Sequence, residues 1–212
     1  MFVHLNCHSY YSFLAGTGRV KDLVHAAARV GCPALALTDT NGLYGAVEFC
    51  RAARESGLHP VFGAEVDGPA VAGNPAGSAS SAVLLAKNLA GFGDVCRVVT
   101  DRHLAPGFSL ADRLRHASPD VVILSRDVDV LRAVLSGRGP ADLYAELTRP
   151  GPPPRGLADF VRKHRLPCVA TNRVFFIHPQ DWDTHRLLAA MRTNTTVRSL
   201  PVGASASPET WL

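Results

Sequence analysis

Three stretches decide how this chain reads: His4-Leu-Asn-Cys-His-Ser-Tyr-Tyr-Ser-Phe-Leu-Ala-Gly16, Ala34-Leu-Ala-Leu-Thr-Asp-Thr-Asn-Gly-Leu-Tyr-Gly-Ala-Val-Glu-Phe49 and Pro60-Val-Phe-Gly-Ala-Glu-Val66. Each holds an apolar run of strand length, and polar side chains appear where the run ends: Asn6, Cys7 and His8, then Thr38 and Asp39, then Glu65. In a parallel α/β barrel the reactive groups stand at the carboxyl ends of the strands. Imidazole and carboxylate groups converging from successive strands suit Zn, Mn or Fe. An Asp at a strand end also caps a following helix, so spacing alone leaves both readings open.

Working outward, further apolar or β-branched runs fall at residues 82–86, 121–125, 143–147 and 168–171. With 2–5, 34–38 and 60–66 they make about seven expected strands. Helical spacing appears in Val20, Leu23, Val24, Ala27 and Ala28, in Val47, Phe49, Cys50 and Ala53, in Leu110, Leu114 and Ala117, and over 180–191. Strand followed by helix, repeated, predicts a parallel sheet or barrel. Gly31, Gly57 and Gly137 follow helical stretches and suit left-handed C-terminal caps. The stretches 68–80 and 149–155 are too rich in Gly, Ser or Pro for regular elements and read as loops. Near the end, Ser207-Pro-Glu reads as a helix N-cap with Pro in the first turn, which suggests a helix begun and cut off.

Composition narrows the classes. Of 212 residues 47% are hydrophobic and the net charge is only +4, which excludes disorder as the main state. No apolar run spans a bilayer and no signal peptide opens the chain, so it reads as cytoplasmic, with no membrane partner. Five cysteines without a CxxC pair argue against a disulfide framework or a zinc ribbon. The pI near 9.0 is weak evidence for nucleic acid, because no stripe of basic and aromatic residues accompanies it. No phosphate-binding GxGxxG or Walker sequence occurs.

Single residues read more plainly. His4 lies within an apolar run and is expected at the core or rim. Cys7 is expected to be a buried, inert thiol. His25, His59, His103, His116 and His164 read as ordinary surface or loop residues, and His178 and His185 as members of a solvated helix face.

Together with Leu84-Leu-Ala-Lys-Asn88, Val169-Ala-Thr-Asn172 and Ser207-Pro-Glu209, the three opening stretches resemble the PHP (polymerase and histidinol phosphatase) domain of bacterial DNA polymerase III alpha subunits and their error-prone relatives. The resemblance implies an α/β fold, a distorted seven-stranded TIM-like β/α barrel. It makes residues 1–192 the PHP domain and 193–212 the start of a connection to an absent polymerase core. It also implies a parent protein with DNA-directed nucleotidyltransferase activity in DNA replication or repair, and as partners the remaining polymerase domains and DNA.

In active relatives the barrel holds up to three metal ions. Carried over residue by residue, that site is largely missing. The first of two paired histidines is Asn6 and only His8 remains. Asp39 is followed by Thr40 instead of His, while Glu65 matches. The histidine before the Leu-Leu-Ala-Lys-Asn run is Ser81, a thiol position is Asp127, and the closing Asp-x-His pair is Arg173-Val174-Phe175. The resemblance therefore implies a structural module with a decayed site and no phosphoesterase activity of its own. It allows at most one weakly bound divalent ion (Zn, Mn or Mg) on His8, Asp39, Glu65 or Asp127, with Arg173 as a phosphate contact. The alternative is a free-standing metal-dependent phosphoesterase or 3′-5′ exonuclease. Asn6, His8, Asp39, Glu65, Ser81, Asp127, Arg173 and Phe175 are expected to converge on one rim.

Overall fold

The computed structural model describes residues 2–69, 80–149 and 151–212. Most of the expected loop at 68–80, and Pro150 of the loop at 149–155, lie outside the described residues. Six strands occur among those described: β1 (Ala34–Leu37), β2 (His59–Asp67), β3 (Ser81–Ala86), β4 (Val121–Ser125), β5 (Leu143–Thr148) and β6 (Cys168–Thr171). Hydrogen-bonded neighbours follow chain order. The helices are α1 (Val20–Arg29), α2 (Ala46–Glu55), α3 (Leu89–Leu104), α4 (Leu110–Arg115), α5 (Val128–Gly137), α6 (Leu157–His164) and α7 (Trp182–Arg192). No helix among the described residues is long and apolar enough to cross a membrane.

The chain forms two compact units, one from the described parts of Met1–Val61, Thr148–Pro150 and Thr171–Leu212, the other from Phe62–Leu147 and Gly151–Ala170. In the first, α1 buries Val20, Leu23, Val24 and Ala27, one stripe at helical spacing, and packs with α2, which buries Phe49, Ala52 and Ala53. Alanines on both faces let the two backbones approach.

The expected first strand, 2–5, is not one; it survives only as isolated parallel bridges of His4 to Leu35 and of Cys7 to Val174. The reason lies in the count of residues. The His4 and Cys7 carbonyls accept from the Ala36 and Thr38 N–H groups, so three steps on one chain face two on the other. The extra residue is a bulge, and the Thr38 hydroxyl takes the Cys7 N–H at 2.9 Å where the ladder fails.

In the second unit β3 runs antiparallel to both β2 and β4, while β4 and β5 are parallel. This corrects the expectation of an all-parallel sheet, since apolar periodicity carries no strand direction. The consequence is positional: the start of β3, not its end, lies at the carboxyl edge of its neighbours, with Ser81 opposite Asp67 and Ala82 opposite Ser125. Leu84, Ile123, Leu124, Leu131 and Leu143 are fully buried in this unit. Each such side chain stabilises by about 1.5–3 kcal/mol.

Gly31 and Gly57 have the expected left-handed backbone. Gly137 does not, and its role is close approach: a Cβ there would meet the Arg115 carbonyl oxygen at 2.2 Å. Ser207-Pro-Glu starts no helix; the Thr210 N–H closes a single turn on the Ser207 carbonyl at 3.1 Å.

Candidate functional site

The Asp39 side chain, 1% exposed, lies just past the end of β1 and is held by the loop that follows Cys7. Its Oδ1 accepts from the Ser9 N–H at 2.6 Å and from the Ser12 hydroxyl at 2.7 Å, and its Oδ2 accepts from the Ser9 hydroxyl at 2.7 Å. The spacing Ser9-x-x-Ser12 works because the segment is a turn, with the Ser12 N–H on the Ser9 carbonyl at 2.9 Å. Gly16 closes it, where any Cβ would fall 1.9 Å from the Ser9 carbonyl oxygen. Hydrogen bonds to the charged form are what a buried carboxylate needs in place of water.

His8 joins the same network. Ser12 gives its one hydroxyl proton to Asp39, so in the 3.0 Å contact between Ser12 Oγ and His8 Nδ1 the ring N–H donates. The ring is fully buried and stacks on Phe175, with centroids 4.3 Å apart and planes within 9°. The Arg173 guanidinium lies 5.3 Å from the centre of the Phe175 ring, a cation–π distance. Arg173 holds a left-handed backbone (φ 47°), unusual outside glycine and typical of backbone set by its surroundings. Partial burial, and secondly the Arg173 charge, push the Arg192 guanidinium pKa below its ordinary value. Asn6 is buried nearby, its amide oxygen 3.4 Å from the Thr38 hydroxyl. The first unit thus brings Asn6, His8, Asp39, Arg173 and Phe175 into one neighbourhood.

The second unit holds the other expected residues. Glu65 is buried in β2 opposite Val83. The Ser81 carbonyl accepts from the Ser125 hydroxyl at 2.7 Å, and Ser125 Oγ accepts from the Asp127 N–H at 3.1 Å. The Asp127 carboxylate caps α5, accepting from the Asp129 and Val130 N–H groups at 2.8 and 3.3 Å. At the same edge Arg102 pairs with Asp67 at 2.7 Å. Among the described residues no three His, Cys, Asp or Glu side chains gather in a metal-binding arrangement.

One residue overturns its reading. His185 is not on a solvated face; it is 1% exposed. Its Nδ1 donates to the Ala15 carbonyl at 2.7 Å and its Nε2 accepts from the Ala206 N–H at 2.8 Å, tying α7 to two distant segments. Burial holds its pKa below the usual 6.5, helped by the charges of Arg192 and His8 and opposed by the Ala15 carbonyl. Both partners are backbone atoms far away in the chain, so no side-chain pattern announced them. His4 and Cys7 behave as expected: burial lowers the imidazole pKa and raises that of the thiol well above its usual value.

The PHP domain family model matches residues 4–149. The error-prone DNA polymerases of Symbiobacterium thermophilum and Mycobacterium bovis are 35% and 34% identical over 92% and 90% of this chain. The Escherichia coli DNA polymerase III subunit alpha is 29% identical over 100% of it. The chain spans only 21%, 17% and 20% of these relatives' lengths. A Bifidobacterium adolescentis structure described as a metal-dependent phosphoesterase superposes with a TM-score of 0.55 at 14% identity, covering 81% of this chain and 86% of its own.

Proposed function

The chain belongs to the PHP domain family, and on that premise we propose that it is the PHP module of a bacterial error-prone DNA polymerase or DNA polymerase III alpha-like protein, acting as a structural and interaction module with a decayed metal site. The proposal makes residues 1–192 the module and 193–212 the lead into a polymerase core, with that core and DNA as partners, in the cytoplasm. It also puts the bulged N-terminal segment, which is not a regular strand, in the place of a seventh strand in a PHP-type barrel, a reading supported by its bridges to Leu35 and Val174.

The observation that carries the decayed-site reading is the Asp39 carboxylate. Three N–H and O–H donors already point at its two oxygens, where a cation would need lone pairs. Beside it, the apolar ring of Phe175 lies flat on His8, and Arg173 adds a fixed positive charge. Like charges repel strongly where solvent screening is poor. These residues do not fit a cluster of divalent ions, so no hydrolytic step is derived through one.

The rival is a metal-dependent phosphoesterase or 3′-5′ exonuclease, kept in view by the Bifidobacterium neighbour. Hydrolysis of p-nitrophenyl phosphate and of a single-stranded DNA 3′ end, with Mn²⁺, Zn²⁺ or Mg²⁺, separates the two. The proposal expects equal background from the wild type and from Glu65→Gln. Metal-dependent turnover that disappears in Glu65→Gln would establish the rival.

A further inference from the structure

We propose that the exposed row of Tyr10, Tyr11 and Tyr44 is a docking site for the proline-rich segment Pro152-Pro153-Pro154-Arg155 of a second copy of this chain. Tyr10 and Tyr11 stack with ring centroids 4.4 Å apart, and the Tyr44 ring lies 6.3 Å from that of Tyr11. Tyr10 is 42% and Tyr44 67% exposed. Three residues on from each, Phe13 and Val47 are also largely exposed, and all five belong to the first unit. A single exposed apolar side chain is ordinary, whereas rings gathered at the surface mark a contact site. One charged group completes the row: the Tyr10 hydroxyl donates to the Glu48 carboxylate at 3.3 Å, and Glu48 forms no ion pair among the described residues.

Charge and shape select the occupant. A carboxylate at the edge of an aromatic row repels a phosphate backbone and attracts a cation, which favours a peptide carrying arginine over a nucleic acid. Aromatic surfaces with hydroxyl donors take polyproline segments, whose backbone is extended in advance and whose carbonyls have no internal partner. This chain carries such a segment. Pro152, Pro153 and Pro154 lie in no helix or strand, and Arg155 follows them, exposed and without an ion pair among the described residues. The Pro154 carbonyl accepts from the Leu157 N–H at 3.2 Å, while those of Pro152 and Pro153 have no backbone partner among the described residues. Helix α6 begins at Leu157 and anchors the segment, so little ordering is lost on docking. Proline holds φ near −65°, so three in a row favour the polyproline helix, which advances ~3.1 Å per residue and covers ~9 Å here. That length is comparable with the two ring-to-ring steps of the tyrosine row taken together. In this pairing Arg155 meets Glu48 at the Tyr10 end. The two surfaces are unlike, so each copy contributes one to the other.

Two measurements on the full chain test this. Calorimetric titration with a capped peptide of residues 150–156 should saturate at about 10 μM to 1 mM. Tyr44→Ala should weaken it by about tenfold or more, and Glu48→Gln, or Arg155→Ala in the peptide, by about two- to fivefold. Sedimentation velocity at rising concentration reads the second copy. The wild type should associate reversibly, and two variants, Tyr44→Ala and the combined Pro152→Gly, Pro153→Gly and Arg155→Ala, should each stay monomeric. Mixed in equal amounts, these two should associate, because one supplies the row and the other the segment; circular dichroism checks that both are folded. The proposal is overturned by a peptide that does not saturate up to about 5 mM, by peptide binding that Tyr44→Ala leaves unchanged, by a wild type that is monomeric up to about 1 mM, or by a mixture that stays monomeric. Binding of oligothymidylate in place of the peptide, lost in Tyr44→Ala, would overturn it in favour of a single-stranded nucleic-acid site.

Discussion

Replacing Asp39 by alanine removes a carboxylate that is 1% exposed and leaves three donors behind: the Ser9 N–H and the Ser9 and Ser12 hydroxyls, at 2.6, 2.7 and 2.7 Å. A hydrogen bond to a charged group contributes about 1.5–3 kcal/mol, and a buried donor left alone costs about 1–3 kcal/mol. The two hydroxyls can rotate about their Cβ–Oγ bonds to seek other acceptors, while their oxygens go on accepting from the Thr40 and Tyr11 N–H groups. The Ser9 N–H cannot rotate. Counting that group in full and the hydroxyls in part gives a destabilisation of about 3–5 kcal/mol for Asp39→Ala. Asp39→Asn keeps one acceptor and should lose about 1–2 kcal/mol. Urea unfolding followed by far-ultraviolet circular dichroism, with chelator present throughout, measures both. If Asp39→Ala stays within about 0.5 kcal/mol of wild type, the carboxylate does not anchor the Ser9–Ser12 turn and the structural assignment fails.

Two further outcomes follow from the geometry. Burial, helped by the charges of Arg192 and His8, holds the folded pKa of His185 below the unfolded 6.5 against the opposing pull of the Ala15 carbonyl. The unfolded chain then binds more protons as pH falls through and below that value, so stability should be flat above it and decline beneath it; His185→Gln should flatten the decline in urea midpoints measured between pH 7.5 and 5, and an unchanged slope would remove His185 as its source. For Gly137→Ala, the Cβ placed 2.2 Å from the Arg115 carbonyl oxygen must force α4 and α5 apart, for a loss of about 1–3 kcal/mol by thermal unfolding; a neutral result would show that the helices yield freely.

Much of the fold was legible because its signals are local. The runs at 121–125 and 168–171 are β4 and β6 residue for residue, and α1 and α2 follow their apolar spacing to within a residue or two. What escaped was non-local or weakly periodic. The bulge at the N-terminal segment depends on a residue count against a distant strand, and the reversed direction of β3 leaves no mark on its composition. Helix α3 carries Gly91 and Gly93 in its first turns and buries a polar Asp94, so its apolar stripe is thin. Asp127, named from the sequence only as a possible ion ligand, caps α5 in the structure. The site showed the same division. Asn6, His8, Asp39, Arg173 and Phe175 were named from the sequence and do meet, but the serines that hold Asp39 and the backbone clamp on His185 become visible only once the chain is folded.

The central claim, a PHP module whose metal site has decayed, is tested most directly by the metal content of the folded chain. Protein incubated with excess Zn²⁺, Mn²⁺ or Mg²⁺, passed through a desalting column and measured by elemental analysis should retain well under one ion per chain, with Asp39→Asn no different from wild type. Retention of one or more ions per chain, lost in Asp39→Asn, would contradict the account and restore a working metal centre.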